Sequence, residues 1–554
     1  MLKLTGYLRR AFNALQYLLR GDVSSLIKRV KWYYGERSYV KLQRQFSSNG
    51  GTVWGILCTP HTLFIAQAMS DRLAKHGISN EVLMGSLKEF SHDFYIVLCP
   101  QMFRSLPPAD KRVVFQLEQS VSSRWFTPEY LKMLDDSVAV LDYSLTNIDF
   151  LARNGVKYPK VHYLPIGAIY GEMREKRPKK YDFVFYGDSV SSDRRRNLLS
   201  ILQNKYNVKV CNGIFGEEMY SIIREAKAVI NIHYYEGALL EMPRISECIS
   251  LGVPVLSEGT DDQAEYAELN GAVRFFEENS AESMMKAAAE ILDNIAVMDE
   301  TVGRAVSVSA NRFNFMMDRF LVAIGAVPIN VILETPIFVR KESSFFVLSL
   351  PETIDRRKAI AANLPVNFEL FDGIRHGIGW IGCGGSFSAM ARYALVNGLD
   401  RLVVIEDDAS LPDDFNETLR DILEYLDTRE SDWDIFSGLM ADFDTTTKIL
   451  SVDTHRDRTY VTMDKMVSTV FNVYSIRALR RLSDWNALDQ DAATNTIDRY
   501  LSHQEGLRVV VALPFIVGHA EEAVSTLWGF DNNRYTPLIS QTELKIKEAA
   551  KQWS

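Results

Sequence analysis

The stretch Asn231-Ile-His-Tyr-Tyr-Glu-Gly-Ala-Leu-Leu-Glu-Met-Pro-Arg-Ile-Ser-Glu-Cys-Ile-Ser-Leu-Gly-Val-Pro-Val-Leu-Ser257 contains the end of an apolar strand, a loop, a helix and a second strand. Pro243 stands where the helix would begin and Gly252 where it would end, positions at which these residue types are favoured. This order predicts a parallel βαβ unit. The N-terminus of its helix would offer free N–H groups to an anion such as a diphosphate.

The same alternation of short apolar strands and helices continues on both sides of this stretch. A first set runs from Thr52–Cys58 to Lys160–Leu164, a second from Tyr181–Gly187 to Arg312–Ile324, and a third begins at Phe345–Leu350 and includes a predicted helix at Ser386–Val396. The pattern predicts an α/β fold class. We expect two Rossmann-type halves at 51–175 and 176–325, a linker at 326–343 with two prolines and a charged end, and a third α/β domain at 344–554.

Composition and charge limit the classes of protein to which the chain can belong. The 554 residues are 47% hydrophobic and 24% charged, which is ordinary for a globular multidomain chain, and the net charge of −9 argues against nucleic acid as a partner. The five cysteines are far apart and lack the spacing of a zinc or redox motif. The chain has no run of eighteen apolar residues and no signal-peptide pattern, so we expect a cytoplasmic protein.

The first fifty residues differ from the rest in charge, because they hold ten Lys or Arg and only two Asp or Glu. Leucines and aromatic residues recur there at helical spacing, which predicts a basic amphipathic helical segment at 1–50. Such a segment can bind the anionic inner face of the cell membrane as a peripheral anchor. It can equally pack on the protein with its basic face in water, and the sequence leaves both alternatives open.

The strongest local pattern in the third set is Arg401-Leu-Val-Val-Ile-Glu-Asp-Asp-Ala-Ser-Leu-Pro412, an apolar strand that ends in three carboxylates. Ligands of open α/β sheets bind beyond the carboxyl ends of the strands. Adjacent carboxylates at that place are best tolerated with a divalent cation between them and a phosphate. A solvated acidic turn is the alternative explanation of the triplet taken by itself.

Further motifs occur in order around the triplet. They are the strand and arginine pair Phe346-Val-Leu-Ser-Leu-Pro-Glu-Thr-Ile-Asp-Arg-Arg357, then Ile381-Gly-Cys-Gly-Gly-Ser-Phe-Ser388, Thr496-Ile-Asp-Arg-Tyr-Leu501 and Leu513-Pro-Phe-Ile-Val-Gly-His519. From Ser343 to Trp528 the chain resembles glycosyltransferase family 25, the lipooligosaccharide and procollagen galactosyltransferase group. Phe387 stands where this family usually has His, and His519 where it often has Gln, so the donor and acceptor are open.

The resemblance implies a GT-A fold, inversion at the anomeric carbon and a bound Mn²⁺ or Mg²⁺. An inverting displacement needs a base for the acceptor hydroxyl, for which Asp498 is the candidate. The implied roles are catalytic for Asp498 and Asp408, metal binding for Asp407, Asp408 and His519, and donor binding for Arg356, Arg357 and Glu406. Each of these side chains also has a structural alternative, such as an ion pair on a helix face.

The region from Gly51 to Ile324 resembles GT-B glycosyltransferases, in whose donor half an Arg-x-x-Glu-x-x-x-x-Gly-x-Pro-Val run recurs. Arg244 and Glu247 match that run, and Gly187 and Arg194 match the first strand and basic loop of the same half. Tyr163-Leu-Pro-Ile-Gly167 resembles the crossover between the halves. The resemblance implies that these residues bind the donor, with Glu247 accepting ribose hydroxyls. Retaining families often have two glutamates eight positions apart, and Leu239 breaks that spacing.

Together the patterns predict a bifunctional bacterial-type glycosyltransferase that transfers sugars from nucleotide-sugar donors. The expected acceptor is a surface polysaccharide or a lipid-linked glycan, such as O-antigen, lipooligosaccharide or capsule, with the C-terminal domain a metal-dependent, galactosyl-like hexosyltransferase. One alternative is a glycan-binding or scaffold protein in which one or both transferase domains are inactive. A nucleotidyltransferase is a second alternative, but Ser349-Leu-Pro-Glu-Thr353 is not the Gly-rich basic loop expected of one.

Overall fold

The structure of the chain is a computed structural model. It describes residues 52–121, 124–169, 171, 177–365, 367–429, 432–443, 445–526 and 531–553, with positions 23, 26, 27, 30, 39–44 and 46 near the N-terminus. The chain divides into two compact units: the N-terminal unit is Asn49–Phe320, and the C-terminal unit is Leu321–Ser554 with Met1–Ser48. Most of the predicted basic segment at 1–50 lies outside the described residues.

The first sheet of the N-terminal unit is entirely parallel. Its strands are β1 (Val53–Cys58), β2 (Ser79–Met84), β3 (Phe94–Leu98), β4 (Arg112–Gln116), β5 (Ala139–Asp142) and β6 (Val161–Tyr163). They lie in the order β2-β1-β3-β4-β5-β6, and the residues of β3, β4 and β5 are all buried. The helices of this half are α1 (Leu63–Lys75), α2 (Pro128–Asp136) and α3 (Leu145–Arg153). Short apolar strands alternating with helices therefore form the predicted Rossmann-like half.

The second sheet is also parallel. Its strands are β7 (Tyr181–Tyr186), β8 (Val208–Cys211), β9 (Ala226–Asn231), β10 (Val255–Glu258) and β11 (Val273–Phe276), in the order β11-β10-β9-β7-β8. The helices that follow them are α4 (Asp193–Gln203), α5 (Gly216–Arg224), α6 (Met242–Ser250) and α7 (Ala281–Asp293). The βαβ unit predicted from residues 231–257 is β9, α6 and β10.

A helix of 30 residues, α8 (Ile295–Ile324), follows the second sheet and returns to the first half of the unit. A Cβ added at Gly167 would lie 2.3 Å from Phe313 Cβ, so the chain that links the two sheets passes against α8 where only glycine fits. Farther along α8, Asp318 is fully buried and accepts hydrogen bonds from Arg72 and His76 of α1. These contacts join α8 to the first half.

We expect Asp318→Ala to destabilise the N-terminal unit by about 3–5 kcal/mol, because it leaves the buried Arg72 guanidinium without its carboxylate. Denaturant unfolding with hydrogen exchange at α1 and α8 would measure the loss. The control is Lys132→Ala, which removes an exposed ion pair to Asp136 and should change stability little. Equal effects of the two substitutions would contradict the role given to Asp318.

The C-terminal unit contains one mixed sheet of eight strands. They are β12 (Phe345–Ser349), β13 (Glu369–Asp372), β14 (Arg401–Glu406), β16 (Ile435–Ser437), β17 (Ile449–His455), β18 (Arg458–Met463), β19 (Phe471–Ser475) and β20 (Val509–Leu513), in the order β13-β12-β14-β19-β16-β20-β18-β17. The strands β13, β12 and β14 are parallel, whereas β19 is antiparallel to both of its neighbours. A separate pair joins β15 (Ala409–Ser410) to β21 (Gly518–His519).

Helices cover this sheet and connect its strands. They are α9 (Asn330–Glu334), α10 (Ile354–Ala362), α11 (Gly379–Val396), α12 (Phe415–Thr428), α13 (Ile476–Ser483), α14 (Ile497–Ser502) and α15 (Thr536–Trp553). The expected linker at 326–343 instead contains α9, and its residues Val327, Ile329, Ile332 and Phe338 are buried. The apolar residues of this segment therefore pack as part of the C-terminal unit.

The helix α11 begins seven residues before the predicted start at Ser386. The glycines of this turn allow close packing: a Cβ on Gly384 would lie 2.4 Å from the Trp485 ring, and one on Gly382 would lie 2.7 Å from the Ile374 carbonyl oxygen. Glycine is a poor helix former, which is why the sequence favoured a loop there. Tertiary packing overrides that preference.

Residues 39–44 are helical and pack within the C-terminal unit. The Tyr39 ring is buried against Gly377, where an added Cβ would lie 1.9 Å from Tyr39 Cγ. The Ile378 N–H donates to His376 Nδ1 at 3.0 Å, so the neutral ring carries its proton on Nε2 and donates it to the Tyr39 hydroxyl at 2.8 Å. Burial lowers the pKa of His376 to about 4.

The low pKa of His376 predicts acid sensitivity of this contact. Between about pH 4 and about pH 6.5 the unfolded histidine binds a proton that the folded one does not, so stability falls as pH drops through this window. The loss should reach about 3 kcal/mol. Unfolding of the C-terminal unit at pH 7 and pH 4 measures it, and His376→Gln should remove that part of the pH dependence. An unchanged pH dependence in the variant would refute the assignment to His376.

Candidate functional site

The carboxyl ends of both parallel sheets in the N-terminal unit border one cavity of about 350 Å³. The first sheet contributes the residues that follow β1, β4 and β5, which are His61, Phe64, Ile65, Leu117, Glu118, Gln119 and Tyr143. The second sheet contributes the ends of β7, β8 and β9 and the start of α6, and its lining residues include Tyr186, Gly187, Phe215, Tyr234, Tyr235, Glu241, Arg244 and Glu247. This is the place at which open α/β sheets bind ligands.

A cluster of two arginines and one glutamate lies at the N-terminus of α6. Arg244 Nη1 is 2.8 Å from Glu241 Oε2, and Arg195 Nη2 is 3.3 Å from Glu241 Oε1. Burial alone would raise the pKa of Glu241, but the Arg244 charge, the His233 ring 3.7 Å away and the Arg195 charge outweigh it and lower that pKa. Glu241 is therefore ionised and holds both guanidinium groups in place. Arg244 Nε has no acceptor among the described residues, so this buried N–H can meet an anionic ligand.

Gly187 follows β7 with a φ of +123°, a conformation in which L side chains are strained. A Cβ at this position would lie 3.1 Å from Arg244 Nη2 and 3.9 Å from Arg195 Nη1. The absence of a side chain at Gly187 thus makes room for the arginine cluster. This places the predicted residues Gly187 and Arg244 together.

Glu247 lies one turn into α6 and lines the same cavity. Its Oε2 accepts a hydrogen bond of 2.7 Å from the Tyr186 hydroxyl. Burial raises the pKa of the carboxyl, and the bonds from Tyr186 and Tyr220 lower it in part. Tyr186 therefore fixes the orientation of Glu247.

Arg194 does not line the cavity, unlike the other three residues predicted for donor binding in this half. Its guanidinium donates to the His233 carbonyl at 2.7 Å and pairs with Glu258 and Glu278. The arginine that joins the cluster at α6 is the next residue, Arg195, which was not among the residues predicted to bind the donor. The helix α4 decides between the two, because neighbouring residues on a helix point in different directions.

A buried polar network supports the opposite wall of the cavity. Asp142 at the end of β5 accepts hydrogen bonds from Gln116 Nε2 at 3.0 Å, Asn147 Nδ2 at 3.1 Å and the Ser144 N–H at 2.9 Å. Asn147 and Gln116 in turn both donate to the Glu118 carbonyl. The loop that carries Glu118 and Gln119 is therefore held rigidly. Gln119 then bonds to both backbone groups of Leu239 at 3.0 Å, which joins the two walls.

The second candidate site lies within the C-terminal unit, where β14 ends at Glu406-Asp407-Asp408. Asp407 Oδ2 accepts a 2.8 Å bond from Ser349, and Asp408 Oδ2 accepts a 3.1 Å bond from Asn532. His519 Nε2 is 3.5 Å from Asp408 Oδ2, because the pairing of β15 with β21 places Ala409 opposite His519. Asp407, Asp408 and His519, three of the residues predicted for this site, therefore lie close together.

The two predicted phosphate-binding arginines differ in their partners. Arg356 pairs with Asp407 and lies 3.2 Å from Asp408 Oδ2, whereas Arg357 pairs with Asp372 at 2.8 Å. Burial and the neighbouring Asp408 raise the pKa of Glu406 to about 7. Burial would raise the pKa of Asp408 too, but the His519 bond and the Arg356 charge bring it to about 2. Asp408 is thus ionised at neutral pH.

Asp498, the predicted base, lies in the first turn of α14. Its Oδ1 accepts hydrogen bonds from Thr496 Oγ1 at 2.7 Å and from the Arg499 N–H at 2.9 Å. After burial, the charges of Glu406 and Asp498 are the main influences that raise the pKa of the Cys383 thiol, so both carboxylates lie near Cys383. Phe387, which replaces the family's histidine, is fully buried on the Tyr474 ring and takes no part in the site.

The acidic site does not fit the expected Mn²⁺ or Mg²⁺. Three of the four carboxylate oxygens of Asp407 and Asp408 already accept bonds or pair with Arg356, and only Asp408 Oδ1 has no partner among the described residues. Mg²⁺ requires near-octahedral oxygen coordination. Within the described ranges, no group of three or more His, Cys, Asp or Glu side chains has a geometry that could hold a metal ion.

No protein-family model matches the sequence. An uncharacterised protein of Acanthamoeba polyphaga mimivirus is 28% identical over 158 residues, which are 26% of this chain. The match covers 48% of the viral protein, so this chain spans about half the length of that curated relative.

Solved structures similar to about half of this chain include three sugar-related enzymes or complexes. An α-glucosyltransferase in complex with UDP is 9% identical and covers 51% of this chain and all of its own, with a TM-score of 0.34. Sucrose-phosphate synthase from Thermosynechococcus elongatus is 11% identical, covers 48% and 95%, and has a TM-score of 0.34. Anabaena HepE in complex with UDP and glucose is 10% identical, covers 49% and 98%, and has a TM-score of 0.33.

We expect Gly187→Ala to destabilise the N-terminal unit by about 1–3 kcal/mol, because the new Cβ is strained and pushes on Arg244. The matched control is Gly213→Ala, which also has a positive φ but no atom within 4 Å of the added Cβ. Thermal unfolding of both variants separates backbone strain from the contact with Arg244. If Gly213→Ala costs as much as Gly187→Ala, the contact with Arg244 has no energetic role.

Proposed function

We propose that the protein is a nucleotide-sugar-dependent glycosyltransferase whose N-terminal unit binds the donor in the cavity between its two parallel sheets. The observation that carries this proposal is the Arg244 guanidinium, which is held by Glu241 at the N-terminus of α6 and whose buried Nε–H has no acceptor in the described part of the chain. A diphosphate is the ligand that suits a fixed guanidinium and a helix N-terminus together.

The roles of the other residues follow from their places around the cavity. Gly187 lets the diphosphate approach the backbone after β7, and Glu247, oriented by Tyr186, accepts the ribose hydroxyls. The transferred sugar then lies toward the wall that carries Glu118 and Gln119. In the transfer, the acceptor oxygen forms a bond to the anomeric carbon while the bond from that carbon to the diphosphate breaks. The diphosphate leaves with the bonding electrons, and the acceptor proton passes to a base.

We further propose that the C-terminal unit is a second transferase, an inverting hexosyltransferase of GT-A type. Three features support this: a mixed sheet with one reversed strand beside β14, the carboxylates at the end of β14, and the ordered motifs that resemble family 25. Asp498 is its proposed base. A divalent cation is no part of this proposal, because Arg356 already pairs with Asp407 and Asp408.

The acceptor and location are proposed on the sequence alone. We propose that the enzyme extends a bacterial surface polysaccharide or lipid-linked glycan and that residues 1–50, with their charge of +8, hold it on the inner face of the membrane. Among the described residues, no helix is both long and apolar enough to cross a bilayer. A peripheral anchor is compatible with that finding.

The experiment is calorimetric UDP binding to the full chain, together with nucleotide release from UDP, GDP and CMP sugars. We expect Arg244→Gln to weaken UDP binding about 10- to 100-fold, because a charge-assisted contact to the diphosphate is lost. The matched control is Arg196→Gln, because Arg196 lies on the same helix α4 as Arg195 but is exposed and pairs only locally with Asp193. It should leave UDP binding unchanged.

Turnover assigns activities to the two units. If turnover of a nucleotide sugar is lost in Arg244→Gln, the N-terminal cavity uses that sugar donor. If its turnover is lost only in Asp498→Asn, the C-terminal unit uses it. If the folded chain neither binds UDP nor releases nucleotide from any donor with a glycan acceptor present, the transferase proposal is refuted. A glycan-binding or scaffold protein then becomes the better explanation.

A further inference from the structure

The surroundings of Arg356 in the C-terminal unit differ from what its predicted role requires. The sequence made it a phosphate ligand beside a metal ion, but its guanidinium contacts both metal-binding candidates. Its Nη2 group pairs with Asp407 and is 3.2 Å from Asp408 Oδ2, while its Nη1 group donates to the Val524 carbonyl at 3.0 Å. The side chain of Arg356 is only 17% exposed. Three acceptors therefore fix one buried cation at the end of β14.

A divalent ion and this guanidinium cannot share the two aspartates. The oxygens that would bind the ion are those bonded to Arg356, Ser349 and Asn532, and the repulsion between a divalent ion and a guanidinium at contact distance is large. Replacing Arg356 by a metal would also leave a buried arginine without a partner, which is costly. Arg356 thus already compensates the negative charge of Asp407 and Asp408.

The unsatisfied groups around the pair suit an anion rather than a second cation. Arg356 Nε and His519 Nδ1 are buried and have no partner among the described residues. The N–H of a guanidinium is a donor, so Arg356 can bind an oxygen atom of a phosphate. Of the four carboxylate oxygens, Asp408 Oδ1 alone has no donor within the ranges that the structure describes.

We propose that Arg356 is the resident cation of this site and that the C-terminal unit binds the diphosphate of its donor without a divalent metal ion. Asp407 and Asp408 then act as positioning residues that hold Arg356, with Ser349 and Asn532 fixing the two carboxylates. This inference rests on the proposed transferase function for the identity of the anion. The exclusion of a divalent ion by Arg356 does not depend on the transferase function.

The test measures Mn²⁺ binding to the full chain by the electron paramagnetic resonance signal of the free ion, with no sugar donor present. We expect wild-type protein to show only the weak binding that Asp408→Asn also shows. Arg356→Met should gain a site that binds Mn²⁺ at least about 100-fold more tightly, because the competing positive charge is gone. Adding Asp408→Asn to Arg356→Met should abolish the new site. Arg401→Met, at the other end of β14, should gain none, since Arg401 pairs with Asp427.

Two results would overturn the proposal. One is tight Mn²⁺ binding by wild-type protein that Asp408→Asn removes, a measurement that needs no arginine variant to fold. The other is a folded Arg356→Met, judged by circular dichroism, that gains no Mn²⁺ site. If the chain turns over a donor in the C-terminal unit, its rate should change less than about twofold when EDTA is added. A chain with no turnover but with the expected Mn²⁺ pattern would refute the transferase proposal and support the exclusion of metal.

Discussion

Parallel strands leave all their carboxyl ends at one edge of a sheet, and the N-terminal unit depends on this constraint. In both of its sheets that edge borders the same cavity, so residues far apart in sequence reach a common ligand-sized space. The two walls are joined by the bonds of Gln119 to Leu239, and α8 is joined to α1 by the buried pair of Asp318 and Arg72. These contacts help to fix the separation of the two edges.

The two candidate sites use opposite arrangements of charge to fix an arginine. In the N-terminal cavity one carboxylate, Glu241, lies between two guanidinium groups, whereas in the C-terminal unit one guanidinium, Arg356, lies between two carboxylates. Both arrangements hold the arginine side chain before any ligand arrives. A preorganised cation loses less conformational entropy on binding than a free one. The two clusters differ in net charge. The cluster in the N-terminal cavity has more positive than negative groups and suits an anion directly, whereas Arg356 in the C-terminal unit first balances the charge of the two aspartates.

Much of the fold could be predicted from the sequence. Apart from β2, for which no strand was predicted, the strands of both parallel sheets lie close to their predicted positions, because short buried strands produce continuous apolar runs that are easy to recognise. Two elements differ from the sequence prediction for a shared reason. The helix α11 begins before its predicted start, and the predicted linker contains α9. Contacts distant in sequence decide both, through glycines that allow close packing in α11 and apolar residues that are buried around α9.

The sequence by itself determined the α/β class, the strand ends at which charged and glycine residues cluster, and the spacing that brings Gly187, Arg244 and Glu247 to one cavity. Only the tertiary structure decided the partner of each charged side chain. Arg195 rather than Arg194 joins Glu241, Arg357 pairs with Asp372, and Arg356 lies on the aspartates predicted to bind a metal. The reason is physical: a motif specifies a residue type at a position along the chain, whereas an ion pair depends on side-chain direction and on burial, which neighbouring elements supply.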